Sequence, residues 1–156
     1  MDTRNRQSAF DSAINLLSYK DRTEKQLYDK LKNKDYSDTE IDKAFIKLRE
    51  YGYLNDERYA NHYHESQVRS KGIRRIKLEL LQKGISNNIV NEVLASNEYD
   101  EVSSILHIME QRYSDADFSD EKQQRRIFGF FQRRGFSYDD IKSAVRIYAK
   151  NDKFQE

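Results

Sequence analysis

The stretch IKLELLQKGISNNIVNEVL, residues 76–94, decides the fold. Ile76 and Leu80 lie four residues apart, the spacing that places two apolar side chains on one face of an α-helix. Gly84 stands where a residue of left-handed conformation commonly ends such a helix. Ser86, two residues later, is a good N-cap for a following helix. The stretch therefore predicts two helices joined by a tight turn.

Two further stretches repeat this pattern. They are LYDKLKNKDYSDTEIDKAF, residues 27–45, and FGFFQRRGFSYDDIKSAV, residues 128–145. The equivalent positions are Leu31, Leu80 and Phe131, then Tyr36, Ile85 and Phe136, then Ser37, Ser86 and Ser137, then Ile41, Val90 and Ile141. Self-similarity of this kind is typical of proteins built from stacked helical repeats.

Another helix is predicted before each pair, because apolar residues recur there at helical spacing. The markers are Ala13, Ile14 and Leu17, then Tyr59, Ala60, Tyr63 and Val68, then Val102, Ile105, Leu106, Met109 and Tyr113. The sequence thus predicts an all-α fold of three tandem three-helix, helix-turn-helix-like repeats, over residues 8–52, 55–96 and 98–150. No segment sustains the period-two alternation of a half-buried strand, so no sheet is expected.

The turns and caps support this division. In the third repeat Gly135 occupies the turn position that Gly84 has in the second. In the first repeat this position is Asp35, which tolerates a left-handed conformation less well than glycine does. Capping boxes are predicted at the starts of two helices and an approximate one at a third. Their residues are Thr23 with Gln26, Ser37 with Glu40, and Ser137 with Asp140.

Composition narrows the class of protein. Hydrophobic residues make up 37% of the 156 residues and charged residues 35%, which predicts a thin core and favours an elongated helical protein. The chain has no cysteine, which excludes a disulfide framework and a thiolate metal site. It has no long apolar run and no apolar signal-peptide core near its first residue. We therefore expect a cytoplasmic protein without a membrane segment.

The net charge is only +1, but basic residues cluster in two places. A cluster on helices of this kind predicts either a docking surface for phosphates or acidic side chains, or a solvated face with ordinary salt bridges. Because the third repeat carries the feature again, a binding surface is favoured. The candidate binding residues are Arg69, Lys71, Arg74, Arg75, Lys77 and Lys83 in the second repeat, and Arg125, Arg126, Arg133 and Arg134 in the third.

Other functions are disfavoured. The helix after each turn is acidic, which argues against sequence-specific reading of a DNA groove. His62 and His64 point to different faces of a helix, and they and His107 are interpreted as surface histidines rather than metal ligands. There is no glycine-rich phosphate loop and no nucleophile elbow. We expect no enzyme activity, no cofactor and no metal. The aromatic side chains of 128, 130 and 131 suit core packing better than base stacking, most clearly at Phe131.

Three stretches together resemble the RecX family of bacterial regulators of the RecA recombinase. They are LLSYKDRTEKQLYDKL, residues 16–31, YGYLNDERYANHYHESQVRSKGIRRIKLELLQKGI, residues 51–85, and RRIFGFFQRRGFSYDDIKSAV, residues 125–145. The chain departs from the family pattern at Asn55, where an aspartate is usual, and at Lys20, where arginine is frequent. The first turn, with Lys34 and Asp35, lacks the usual glycine.

The resemblance implies three tandem three-helix repeats in a curved, elongated arrangement, in a regulator that is not an enzyme. It implies binding to RecA filaments on single-stranded DNA, in their helical groove, and inhibition of recombinase, ATPase and co-protease activity. The expected partner is the RecA filament, with single- and double-stranded DNA as further candidates, and the chain is expected to be a monomer. The alternative is a general nucleic-acid-binding helical protein that acts by competition for DNA.

Overall fold

The computed structural model describes residues 6–97 and 99–154. In these ranges it contains nine α-helices and no strand. They are α1 (Ala9–Tyr19), α2 (Glu24–Asn33), α3 (Asp38–Glu50), α4 (Asp56–Gln67), α5 (Ile73–Gln82), α6 (Asn87–Ser96), α7 (Glu101–Arg112), α8 (Glu121–Arg133) and α9 (Tyr138–Phe154). The prediction of an all-α fold of tandem three-helix repeats is confirmed. The elongated, curved arrangement and the three repeat boundaries stay predictions.

The chain divides into two compact units. Unit 1 comprises residues 1–62 and 80–93, and unit 2 comprises residues 63–79 and 94–156. Because the division falls within the second repeat, α4, α5 and α6 each contribute residues to both units.

The core of unit 1 is formed where α1 packs against α2 and α3. Its fully buried residues include Ala13, Leu31 and Ile41, which are predicted apolar positions, together with Leu27 and Leu48. One polar pair lies within this core: the Ser12 and Tyr36 hydroxyls are 2.7 Å apart, and Tyr36 Oη also donates to the Gln7 carbonyl oxygen at 2.7 Å. These bonds satisfy two hydroxyls that burial would otherwise strip of water.

The core of unit 2 is more aromatic. In it α9 packs against α7 and α8. Phe131 is fully buried, as the sequence predicted, and its ring packs edge-on against the rings of Phe130 and Phe136 at centroid distances of 5.2 and 5.8 Å. Aromatic rings in this arrangement bring the positive edge of one ring to the negative face of another, which adds to the stabilisation from burial.

The predicted turns and caps are present. Asp35 adopts the left-handed conformation, with φ of 66°, at the position that Gly84 and Gly135 occupy with φ of 89° and 91°. Both capping boxes form, at Thr23 with Gln26 and at Ser37 with Glu40. Ser137 accepts a bond from the backbone N–H of Asp140 at 3.2 Å. Local sequence signals therefore account for where several helices begin and end.

Within unit 1, the start of α2 is joined to the turn that follows α5. Thr23 Oγ1 donates to the carbonyl oxygen of Lys83 at 2.6 Å. Gly84, next in the chain, lies so close to α2 that a Cβ there would overlap the Cβ of Lys25. We call this contact the unit 1 joint.

Within unit 2, the start of α5 is joined to the turn that follows α8 in the same way. The backbone N–H of Gly72 donates to the carbonyl oxygen of Arg134 at 2.8 Å. A Cβ at Gly72 would overlap the backbone of Gly135, and a Cβ at Gly135 would overlap the backbone nitrogen of Arg75. We call this contact the unit 2 joint. Gly72, Arg134 and Gly135 are equivalent in the repeat to Thr23, Lys83 and Gly84 of the unit 1 joint, so the repetition of sequence extends to a repeated tertiary contact.

Substitution of Gly135 tests how much the unit 2 joint contributes to stability. We expect Gly135→Ala to lower the free energy of unfolding by the cost of a left-handed alanine, about 1 to 2 kcal/mol, and by at least about 2 kcal/mol more for the overlap with the Arg75 backbone. The matched control is Gly52→Ala, where φ is 75° but no heavy atom lies within 4 Å of the added Cβ. Urea unfolding followed by circular dichroism measures both. Equal losses in the two variants would show that the close approach contributes nothing.

Candidate functional site

The ten basic residues predicted to bind lie at and around α5 and α8. Arg69 and Lys71 precede α5, whereas Arg74, Arg75 and Lys77 are on it. The rest are Lys83 directly after α5, Arg125, Arg126 and Arg133 on α8, and Arg134 at its C-cap. Nine of them belong to unit 2 and Lys83 belongs to unit 1. The apolar residues expected to hold these helices in place, Ile76, Leu80, Ile127 and Phe131, are all buried.

Glu79 ties two of the predicted residues together. Its side chain is 15% exposed and accepts from Lys71 Nζ at 2.9 Å and from Arg75 Nε at 3.0 Å. Tyr63 Oη donates to the same carboxylate. Burial raises the pKa of Glu79, but the hydrogen bonds from Tyr63, Lys71 and Arg75 outweigh it and lower the pKa to about 2. Lys71 and Arg75 therefore help to hold α5 in place.

Two arginines also bind backbone across the unit 2 joint. Arg75 Nη1 donates to the carbonyl oxygen of Arg133 at 2.9 Å. Arg134 Nη1 donates to the carbonyl oxygen of Ser70 at 3.1 Å. A guanidinium can satisfy a turn carbonyl that has no helical partner and still keep further N–H groups for a ligand.

The remaining predicted side chains are more available. Arg69, Arg74, Arg125, Arg126 and Arg133 are exposed, and Lys77 is half-buried. Within residues 6–97 and 99–154, none of these six side chains makes a hydrogen bond or an ion pair. Cations without a partner in the folded chain can interact with a ligand at no cost in existing contacts.

A surface cavity of about 320 Å³ brings part of this set together in unit 2. Arg74, Arg75 and Arg133 line it, and so do Leu78 and Tyr138, whose side chains are 55% and 54% exposed. The Tyr138 ring lies 5.5 Å from that of Phe128. The cavity combines a basic rim with exposed apolar side chains, as the centres of protein interfaces commonly do. We call it the basic cavity. Leu78 and Tyr138 were not among the predicted site residues, although the apolar character of Leu78 on the basic helix α5 was a usable signal.

Glu101 at the start of α7 is an acidic neighbour that the sequence did not single out. It accepts from the backbone N–H of Ile73 at 2.7 Å and so binds the first turn of α5. Burial and the hydrogen bond with the Asp140 carboxyl raise the pKa of Glu101 to about 7, against the opposing effects of the Ile73 N–H and the charge of Arg74. The Glu101 carboxyl is therefore protonated in a large fraction of molecules at neutral pH, unlike that of a free glutamate.

The histidine interpretation was wrong at one position. His62 and His107 are exposed, but His64 is buried in unit 2, where its ring lies 5.7 Å from that of Tyr99. Neither ring nitrogen of His64 has a hydrogen-bond partner among the described residues. Burial lowers the pKa of His64, because the charged ring would lose its hydration. His64 lies four residues after Ala60 and four before Val68, two of the predicted apolar markers, so helical spacing was a usable signal that this polar ring faces inward.

The described part of the chain contains no group of three histidine, cysteine or carboxylate side chains arranged to hold a metal ion. None of its helices is both long enough and apolar enough to cross a membrane. Three-helix repeats, two of which carry exposed basic side chains on their middle helices α5 and α8, define a helical-repeat protein.

Comparison with known proteins makes the identification specific. The first, second and third three-helix domains of RecX match residues 9–48, 55–94 and 98–145. The regulatory protein RecX of Clostridium perfringens (strain 13 / Type A) is 32% identical over 146 residues, which cover 91% of this chain and 69% of that protein. The regulatory protein RecX of Chlorobium phaeobacteroides (strain BS1) is 30% identical over 139 residues, covering 88% and 91%.

A solved structure agrees with the sequence comparisons. The crystal structure of RecX from Lactobacillus salivarius superimposes with a TM-score of 0.78 at 31% identity, covering 90% of this chain and 94% of that one. The chain belongs to the RecX family of regulatory proteins.

Neutralising Glu79 tests whether its carboxylate, through Lys71 and Arg75, stabilises the position of α5. We expect Glu79→Gln to lower the free energy of unfolding at pH 7 by about 1 to 3 kcal/mol, since two cations lose a charged partner. The folded-state pKa is below that of a free glutamate, so this stabilisation is present above about pH 4.5 and is lost as the pH falls through about 2. Urea unfolding of Glu79→Gln and of Glu110→Gln, an exposed glutamate on α7, measures the effect. A Glu79 variant as stable as the Glu110 variant would contradict this role.

The carboxyl pair predicts the opposite pH dependence. The pKa of Glu101 is raised from 4.5 to about 7 in the folded chain, so its stabilisation is present below about pH 4.5 and is lost as the pH rises through 7. We therefore expect Glu101→Gln to gain stability relative to the parent between pH 5 and pH 8. Chemical unfolding at a series of pH values gives the difference in free energy of unfolding between the two proteins. Both contain His64, so its titration cancels in that difference. A difference that stays constant over this range would rule out the raised pKa of Glu101.

Proposed function

We propose that this chain binds RecA filaments assembled on single-stranded DNA and inhibits their recombinase, ATPase and co-protease activity without catalysing a reaction itself. Membership of the RecX family carries the proposal. The exposed basic side chains of α5 and α8 supply a surface on which binding can occur. A nucleoprotein filament offers both phosphates and acidic side chains to such a surface.

The ten predicted residues divide into two roles under this proposal. Arg69, Arg74, Lys77, Arg125, Arg126 and Arg133 make direct docking contacts, since none of their side chains forms a hydrogen bond or an ion pair within the described chain. Lys71, Arg75 and Arg134 combine docking with support of the unit 2 joint, because each already binds a partner there. Lys83 places a further basic group next to the unit 1 joint, where its carbonyl oxygen accepts from Thr23.

Several modest contacts are expected to act together. An exposed charge pair contributes at most about 1 kcal/mol, so no single basic side chain would hold a filament. Contacts made by one chain reinforce each other through effective concentration. Leu78 and Tyr138 in the basic cavity would add apolar area at the centre of the contact, where most binding energy usually lies. Binding should weaken with added salt, as exposed charge interactions do.

Titration of RecA ATP hydrolysis tests the proposal. Hydrolysis is measured on single-stranded DNA kept in excess of what this protein alone could coat. Inhibition well below one molecule per recombinase would mean action on the filament itself, which we expect. Inhibition only as the protein approaches the concentration of DNA sites would contradict it and favour the alternative, a general nucleic-acid-binding protein that competes for DNA.

A pair of charge-neutralised variants locates the docking surface in the same assay. Arg74→Gln with Arg133→Gln removes two unpaired cations from the rim of the basic cavity, and we expect half-inhibition to require about tenfold more protein. Arg75 is left in place because it holds Glu79. The matched control is Lys142→Gln with Arg146→Gln, which removes the same charge from the exposed face of α9. Equal inhibition by both variants would remove the basic cavity from the docking surface.

A further inference from the structure

A second cavity in unit 2, of about 520 Å³, lies between the residues that follow α4, the second half of α7 and the end of α8. Its volume is within the range of ordinary small-ligand sites. Arg69, Arg112 and Arg134 line it together with His107 and Ser66, and none of the described residues that line it is acidic. Arg112 and His107 lie outside the basic clusters seen in the sequence.

Two of the three guanidinium groups that line this cavity pack against the ring of Phe130. The guanidinium carbons of Arg112 and of Arg134 each lie 4.5 Å from the centroid of the Phe130 ring. The ring is fixed by edge-on contacts with Tyr113 at 5.5 Å and Phe131 at 5.2 Å. Attraction between a cation and an aromatic face accounts for each arginine singly, but it leaves two like charges beside one ring.

No carboxylate in the described chain offsets these charges. Neither Arg69, Arg112 nor Arg134 forms an ion pair within residues 6–97 and 99–154. Arg134 uses one N–H for the carbonyl oxygen of Ser70 and keeps the rest of its donor set. The planar donor pair of a guanidinium matches two oxygens of a phosphate, and two guanidiniums around one phosphate offset their mutual repulsion.

We propose that this cavity binds a phosphate group of a nucleotide or of a single-stranded nucleic-acid chain, with Arg112 and Arg134 as its principal ligands and Arg69 at its entrance. Phe130 fixes the arginine pair, and His107 and Ser66 offer further polar contacts. The site goes beyond filament inhibition, since it assigns a ligand to this chain alone and adds Arg112, which no sequence cluster contained.

Binding is measured on the full chain without recombinase. Pyrophosphate and ATP are titrated by isothermal calorimetry, and a fluorescent single-stranded oligodeoxythymidylate by anisotropy. We expect Arg112→Gln to weaken binding by about tenfold or more, as loss of a charged hydrogen-bonding partner does. The control Arg146→Gln removes the same charge from an exposed position on α9 and should leave binding within about twofold.

The two phosphate sources are separated by competition. Displacement of the oligonucleotide by pyrophosphate, with both sensitive to Arg112→Gln, assigns the site to the phosphodiester chain. Binding of ATP and pyrophosphate alone, with the same sensitivity, assigns it to a free nucleotide. Absence of binding to all three, or equal affinity in the Arg112 and Arg146 variants, overturns the proposal.

A second measurement uses no variant, so it does not depend on whether a variant folds. The unaltered protein is treated with phenylglyoxal with and without pyrophosphate, and modification at each arginine is read by mass spectrometry. We expect Arg112 to be protected and Arg146 to react equally in both samples; unprotected Arg112 overturns the proposal. RecA ATP hydrolysis measured with Arg112→Gln distinguishes this proposal from the proposed inhibition of the filament. A variant that has lost phosphate binding but still inhibits hydrolysis retains only the filament function.

Discussion

The close approach of two backbones at Gly72 and Gly135 is the constraint on which unit 2 depends. The Gly72 N–H donates to the Arg134 carbonyl oxygen, and neither glycine leaves room for a side chain. Three further hydrogen bonds lie near this contact, and they run from Arg75 to Arg133, from Arg134 to Ser70 and from Ile73 to Glu101. A contact between backbones fixes position more tightly than one between flexible side chains, so the basic side chains of α5 and α8 are presented in a defined arrangement.

The same joint, in a different chemical form, occurs in unit 1. There a threonine hydroxyl replaces the backbone N–H as the donor to the turn carbonyl, and the neighbour of the turn glycine is the side chain of Lys25 rather than a main chain. The repeat therefore conserves the position of a contact while its atoms differ. This is expected of stacked repeats, in which each repeat is stabilised by the surface it shares with the next repeat along the chain.

Some basic residues in this chain bind partners within the fold and others have no partner in the described residues, and composition does not distinguish the two groups. Lys71 and Arg75 neutralise Glu79, and Arg134 binds a carbonyl oxygen, whereas Arg125 and Arg126 have no partner in the described residues. A near-neutral protein can thus carry a strongly basic local surface, because many of its acids lie elsewhere. Charge density at the place of contact determines encounter with a partner more than the total charge does.

The sequence predicted what depends on neighbours in the chain. Helix periodicity, the capping boxes at Thr23 and Ser37, and the left-handed turn at Asp35 are decided within a few residues. What it missed depends on residues distant in sequence. The raised pKa of Glu101 and the packing of both Arg112 and Arg134 against Phe130 each require tertiary packing. A glycine such as Gly72 commonly marks a helix end, and its neighbours in the chain do not show that its missing side chain admits the turn after α8.

Hydroxyl-radical footprinting of this protein, free and bound to RecA filaments on single-stranded DNA, tests the central claim that the basic cavity docks on the filament. Leu78 and Tyr138 in that cavity and Tyr19 and Ile46 in unit 1 are all exposed and react with the radical, so one digest reports on all four. The account predicts that binding protects Leu78 and Tyr138 and leaves Tyr19 and Ile46 unchanged. Unchanged labelling of Leu78 and Tyr138 in a complex that is fully bound would contradict it.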